Sequence, residues 1–268
     1  MKMPYRLIAL ISMMLTGFLS YAQVPVKVAC VGDSVTYGYG IGDRDNDSYP
    51  AQLQALLGGG FEVRNFGHNG ATLLNHGHRP YTTLPEYGES LEYKADLVVI
   101  HLGLNDTDPR NWPNYSEEFI PDYKSLIDDY RKANPSARIW ICLMTPIMHG
   151  HHRFQSGTRD WHAQEQKAIR QIAATSDVGL IDLYGPLFTR PDLFADNLHP
   201  DAEGAGIIAK TVYGAHYRGL WGPCRFRNVF RPYGPAAGAS DMHPRNSECR
   251  RKDQGHVGRK QVEDGSRA

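Results

Sequence analysis

Asp196 and His199 lie three residues apart in Asp-Asn-Leu-His-Pro. A carboxylate at that spacing can orient an imidazole whose other nitrogen faces a nucleophile elsewhere in the chain. The candidate nucleophile is Ser34, in Gly32-Asp33-Ser34, because a serine hydroxyl is inert at neutral pH until an adjacent base takes its proton. Two further segments fit the same chemistry. Gly70, within residues 65–72, can bring a backbone N–H close to a substrate oxygen. Asn105, in Gly103-Leu104-Asn105-Asp106, can donate its side-chain amide to an oxyanion. Taken singly, each segment is equally the pattern of a turn, a helix cap or an Asx turn.

The chain must fold so that these four segments meet. Val26–Val31, Phe61–Phe66, Asp96–Leu102, Ala137–Met144 and Val178–Leu183 read as short apolar, β-branched strands. Tyr49–Leu57, Phe119–Ala133, Arg159–Ala174 and Asp201–Tyr213 read as helices, with Pro200 near the start of the last. Strands alternating with helices predict a parallel sheet covered on both faces. Ligands on such sheets bind beyond the carboxyl ends of the strands. The four segments fall there: after the first three strands and before the last helix.

The chain has 268 residues, of which 41% are hydrophobic and 22% charged. That excludes a collagenous, coiled-coil or wholly disordered protein, and the length suits one domain of about 200 residues with extensions. The 29 basic and 29 acidic residues give no overall argument for a nucleic-acid partner or an anionic membrane surface. At the N-terminus, Lys2 and Arg6 precede an apolar run from Leu7 to Leu19 and then Ser20-Tyr21-Ala22. This predicts a secretory signal over 1–22, since the run is shorter than the roughly 20 residues a membrane span needs. The mature chain then starts at Gln23, periplasmic or extracellular, with no stable membrane anchor. Cys30 and Cys142 sit inside strand-like runs, Cys224 and Cys249 lie far downstream, and no essential disulfide or metal spacing is expected.

Jointly the four segments are specific. The sequence resembles the SGNH (GDSL-type) hydrolase superfamily through Gly-Asp-Ser at 32–34, Gly70, Gly-x-Asn-Asp at 103–106 and Asp-x-x-His at 196–199, over roughly residues 24–215. The resemblance implies a three-layer α/β/α, flavodoxin-like fold with a five-stranded parallel sheet. It implies Ser34 as nucleophile, His199 as base and Asp196 as its orienting carboxylate. The N–H groups of Ser34 and Gly70 and the side chain of Asn105 form the implied oxyanion hole. No cofactor or metal is implied.

Longer strings narrow the resemblance. Residues 32–40, 77–81, 102–115 and 156–161 look like the N-terminal SGNH domain of bacterial sialate O-acetylesterases. The expected substrate is an O-acetyl ester of sialic acid or a related sugar. Arg79 and Arg110 could pair a sugar carboxylate, and Tyr81, Trp112 and Trp161 could stack on a sugar face. For each, packing within a loop is the competing role. Another SGNH esterase acting on polysaccharide acetate or lysophospholipid, and a non-catalytic carbohydrate-binding protein, are the rival readings. His149-Gly150-His151-His152 reads as a polar loop rather than a metal cluster, and His68, His76 and His78 receive no catalytic role.

Residues 216–268 hold 11 basic and 5 acidic groups and, after Leu220, no Leu or Ile. Such a segment cannot bury a core, so an unstructured basic tail is expected. A one-nucleotide shift near residue 215 with permitted codons yields a string like the start of the β-rich domain that follows in those esterases. The tail is therefore also compatible with a frameshifted remnant, which implies no nucleic-acid partner.

Overall fold

A computed structural model describes residues 24–152 and 157–215. Five strands, β1 (Val26–Gly32), β2 (Phe61–Gly67), β3 (Leu97–His101), β4 (Arg138–Leu143) and β5 (Gly179–Asp182), form one parallel sheet in the order β2-β1-β3-β4-β5. All five residues of β3, Leu-Val-Val-Ile-His, are buried, as a central strand covered on both faces requires. The helices are α1 (Ser34–Tyr37), α2 (Arg44–Asp47), α3 (Tyr49–Leu57), α4 (Pro85–Glu92), α5 (Trp112–Tyr115), α6 (Phe119–Ala133), α7 (Thr158–Thr175), α8 (Gly185–Phe188) and α9 (Ala202–Ala215).

The strand order reverses at β1, and right-handed crossovers then put the helices in two outer layers. In one layer α3 packs on α9; in the other α6 packs on α4 and α7. The buried face of α6 is Phe119, Tyr123, Leu126, Ile127 and Tyr130, a helical stripe that seals the sheet. The contact between α3 and α9 matters for function. The Gln52 amide donates to the carbonyls of Asp47 (2.7 Å) and Ala202 (2.8 Å). It fastens the start of α9 to α3, although α9 follows β5 at the far edge of the sheet.

The fold class is the one the sequence predicts. The five strands and four long helices occur where expected, to within two residues at each end. Helix α4 is not legible in the sequence: Ser90 is its only buried residue, and Gly88 within it is a poor helix former. The one-turn helices are too short to show a period. Cys30 and Cys142 are buried free thiols, and burial pushes the Cys30 thiol up to about 12. Among the described residues no helix is long and apolar enough to cross a membrane. The expected signal segment and basic tail, with Cys224 and Cys249, lie outside the described residues.

Candidate active site

The first segment is built by the end of β1. Asp33 caps α1, its Oδ1 accepting the N–H of Val35 at 3.0 Å. Ser34 is thereby the first residue of a single helical turn, closed by Gly38 and Tyr39, whose N–H groups both reach the Ser34 carbonyl. The serine is 5% exposed, set just beyond the strand edge.

The histidine arrives from the other end of the chain. Asp196 Oδ1 accepts the N–H groups of Leu198 (2.9 Å) and His199 (2.7 Å), folding residues 196–199 into a tight loop with Asn197 at φ +65°. Its second oxygen, Oδ2, lies 2.6 Å from His199 Nδ1. The opposite ring nitrogen, Nε2, lies 2.9 Å from Ser34 Oγ. Partial burial of the Asp196 carboxyl opposes ionisation, but hydrogen bonds from His199 and Leu198 hold its pKa below the ordinary value. An ionised carboxylate, an imidazole and a hydroxyl in line can pass a proton from the hydroxyl to the ring.

The other two segments follow the strands on either side of β1. Gly70 follows β2, on one side of β1, and adopts φ +76°, a conformation glycine takes without strain. Asn105 follows β3, on the other side. Its amide Nδ2 donates to the Ala71 carbonyl at 3.0 Å, holding the side chain against the Gly70 loop. The backbone N–H groups of Ser34 and Gly70 have no acceptor among the described residues. Donors so arranged suit an oxygen that gains negative charge during reaction.

Several supporting residues escape sequence reasoning. Asp106 is fully buried and accepts the N–H groups of Leu73 (2.9 Å) and Leu74 (2.7 Å), locking the loop after β2 to the loop after β3. Burial pushes its pKa up to about 7 against the pull of those two bonds. Its place beside Asn105 was visible, but its partners were not. Tyr39 lays its ring 4.5 Å from the His199 ring. His101, at the end of β3, places Nδ1 3.7 Å from Asp33, with both side chains fully buried. The β1–β3 register pairs Gly32 with His101 and so creates this contact.

The expected sugar contacts divide. Tyr81 is 1% exposed and its hydroxyl donates to the Phe66 carbonyl at 2.8 Å, so its ring is core and cannot stack on substrate. Trp112 is also buried; its ring packs edge-on against Phe119 and its N–H donates to Gln164. Both aromatic expectations are therefore corrected: the loops that carry them fold inward over α6. Arg110 has a forked bond to Asp108 (2.8 and 3.0 Å), so its guanidinium already holds an internal carboxylate. Trp161 is half-buried at the start of α7, packed on the core and against Gly157. Arg79 is exposed, donates to the Asn69 carbonyl at 2.8 Å beside Gly70, and makes no ion pair among the described residues. The rings of His151 and His152 lie 4.3 Å apart, and no group of three metal-ligating side chains occurs among the described residues.

A parallel sheet of order 2-1-3-4-5, with a serine, an imidazole and a carboxylate in line at its switch point, defines the SGNH class of α/β hydrolase. More particularly, the model of the GDSL-like Lipase/Acylhydrolase family matches residues 30–207, and the chain belongs to that family. It is 33% identical over 213 residues to an acetylxylan esterase of Xylanibacter ruminicola. That similarity covers 71% of this chain and 43% of the relative, so the chain spans less than half the length of that protein. The fold is also that of a carbohydrate acetylesterase family member from Sinorhizobium meliloti (TM-score 0.60, 23% identity, 73% of this chain and 99% of that one). An acetyl xylan esterase, AlAXEase, is similar at TM-score 0.55 and 21% identity, over 71% of this chain and 99% of that one.

Proposed function

We propose that the protein is a serine acetylesterase that removes O-acetyl groups from carbohydrate. The observation that carries this reading is the line Asp196–His199–Ser34, at 2.6 and 2.9 Å, at the end of β1 between the strands that lead to Gly70 and Asn105. His199 Nε2 takes the Ser34 proton as Oγ bonds to the acetyl carbon. The N–H groups of Ser34 and Gly70 and the Asn105 amide hold the resulting oxyanion. The bond to the sugar oxygen breaks as His199 returns the proton to it, leaving acetyl-Ser34. Water then adds to the acetyl carbon, giving its proton to His199, and acetate leaves as Ser34 regains a proton.

The named activity of the relative from Xylanibacter ruminicola supports a neutral acetylated polysaccharide, such as xylan acetate. A second reading, O-acetylated sialic acid, is favoured by Arg79, an exposed guanidinium beside Gly70 with no carboxylate partner among the described residues. Acetate release from acetylated xylo-oligosaccharide and from O-acetylated sialic acid tests both, with Ser34→Ala as control. Release from the neutral sugar alone supports the first reading. Release from the sialic acid, lost in Arg79→Ala, supports the second. Release from neither by the folded wild type overturns the function.

We read residues 1–22 as a cleaved secretory signal. N-terminal sequencing of the exported protein should begin at Gln23; an intact Met1 would overturn the signal reading.

A further inference from the structure

With Tyr81 and Trp112 buried, the site needs another surface for the sugar. Among the described residues the exposed large hydrophobic side chains are Val24, Tyr39, Leu56 and Phe188. Two of these are aromatic, and Tyr39 is the one in contact with His199. Tyr39 is 50% exposed, and its ring centroid is 4.5 Å from that of the imidazole, tilted by 44°. The backbone displays it deliberately. Gly38 (φ +89°) and Gly40 (φ +81°) flank it in the left-handed region, and its own N–H is held by the Ser34 carbonyl at 2.9 Å. The same helical turn thus fixes the serine and the tyrosine.

The chemistry tells which half of the substrate meets this ring. The acetyl oxygen must lie on the Gly70 and Asn105 side. The sugar oxygen must lie where His199 Nε2 can return a proton to it, beside the imidazole and therefore beside Tyr39. A pyranose presents a face of C–H groups that packs flat on an aromatic ring while its hydroxyls stay in water. We propose that Tyr39 is the platform for the leaving sugar, selecting carbohydrate acetates over acetyl esters that carry no ring. This rests on the esterase reading above and names the substrate contact within it.

The test compares Tyr39→Ala and Tyr39→Phe with wild type on two esters, acetylated xylo-oligosaccharide and ethyl acetate. Tyr39→Ala should lower the kcat/KM ratio of sugar ester to ethyl acetate about tenfold, mostly through KM for the sugar. Tyr39→Phe, which keeps the ring, should stay within about twofold of wild type on both. Equal losses on both esters, with a displaced pH profile of kcat, would show that the ring acts through His199 and overturn the proposal. An unchanged ratio with full activity would overturn it too. Turnover of neither ester by wild type removes the esterase reading itself, a result distinguishable from failure of the Tyr39 assignment alone.

Discussion

Two carboxylate–imidazole pairs flank Ser34, and they are built from the same residue types for opposite ends. In the Asp196–His199 pair the contact is 2.6 Å, and the side chains are 48% and 15% exposed. In the Asp33–His101 pair it is 3.7 Å, and both side chains are fully buried. The decisive difference is the second ring nitrogen. His199 Nε2 faces the serine hydroxyl, whereas His101 Nε2 accepts the N–H of Thr145 at 3.2 Å and so ties the end of β3 to the exit of β4. That bond puts the His101 ring proton on Nδ1, toward Asp33. One pair keeps a nitrogen for chemistry; in the other Nε2 is committed to the scaffold, while Nδ1 makes no hydrogen bond among the described residues and has only the 3.7 Å contact with Asp33. A histidine beside a carboxylate therefore identifies a base only when its remaining nitrogen has somewhere to send a proton.

The largest effects should separate these pairs. Ser34→Ala and His199→Ala should each lower kcat by about 10⁴-fold or more, because members of such a relay act as a unit. Neither should lower Tm greatly, since each removes a contact at the sheet edge rather than in the core. His101→Ala should do the reverse. It empties a buried site and orphans the Thr145 N–H, costing about 2–4 kcal/mol, which a melting curve would record as a drop of roughly 5–15 °C. A His101→Ala protein with unchanged Tm and kcat reduced like His199→Ala would erase the distinction.

The next effect lies on the oxyanion side. Asn105→Ala should lower kcat by about 10²–10³ with little change in KM, because its amide acts mainly on charge that develops during reaction. A loss confined to KM would assign Asn105 to ground-state binding instead.

The legibility of these features follows their range. Asp196–His199 was readable because three residues suffice to define it, and Ser34, Gly70 and Asn105 because each follows an apolar run. The Asp33–His101 pair was not, because it spans 68 residues and exists only through the β1–β3 register that sets Gly32 opposite His101. The aromatic errors have the same origin. Tyr81 and Trp112 occupy loops whose polarity suggests exposure, yet loop closure turned both rings inward. Tyr39 lies between Gly38 and Gly40 within the stretch 32–40, but nothing local tells that its ring meets a histidine 160 positions downstream.

The smallest effect concerns a third carboxyl behind the site, and it is read by pH. Glu165 of α7 is fully buried, and neither carboxyl oxygen has a hydrogen-bond partner among the described residues. Its Oε2 lies so close to Gly103 that an added Cβ there would be 3.3 Å away. Burial, reinforced by the nearby Asp106 and Asp33 charges, raises its pKa well above the ordinary value. The folded protein thus holds a proton that the unfolded chain releases once the pH exceeds the usual carboxyl range. Stability is then lost as pH rises, with a slope approaching about 1.4 kcal/mol per pH unit until the folded group also ionises. Asp106, raised to about 7, acts in the same direction, while His162, lowered by burial to about 4, loses stability as pH falls below its ordinary value. Both are common to wild type and Glu165→Gln, so they cancel in the difference between the two. The buried amide of the variant adds only a pH-independent offset. The Tm of Glu165→Gln minus that of wild type should therefore grow by several degrees from pH 5 to pH 8, and parallel melting curves would show that Glu165 is ionised in the fold.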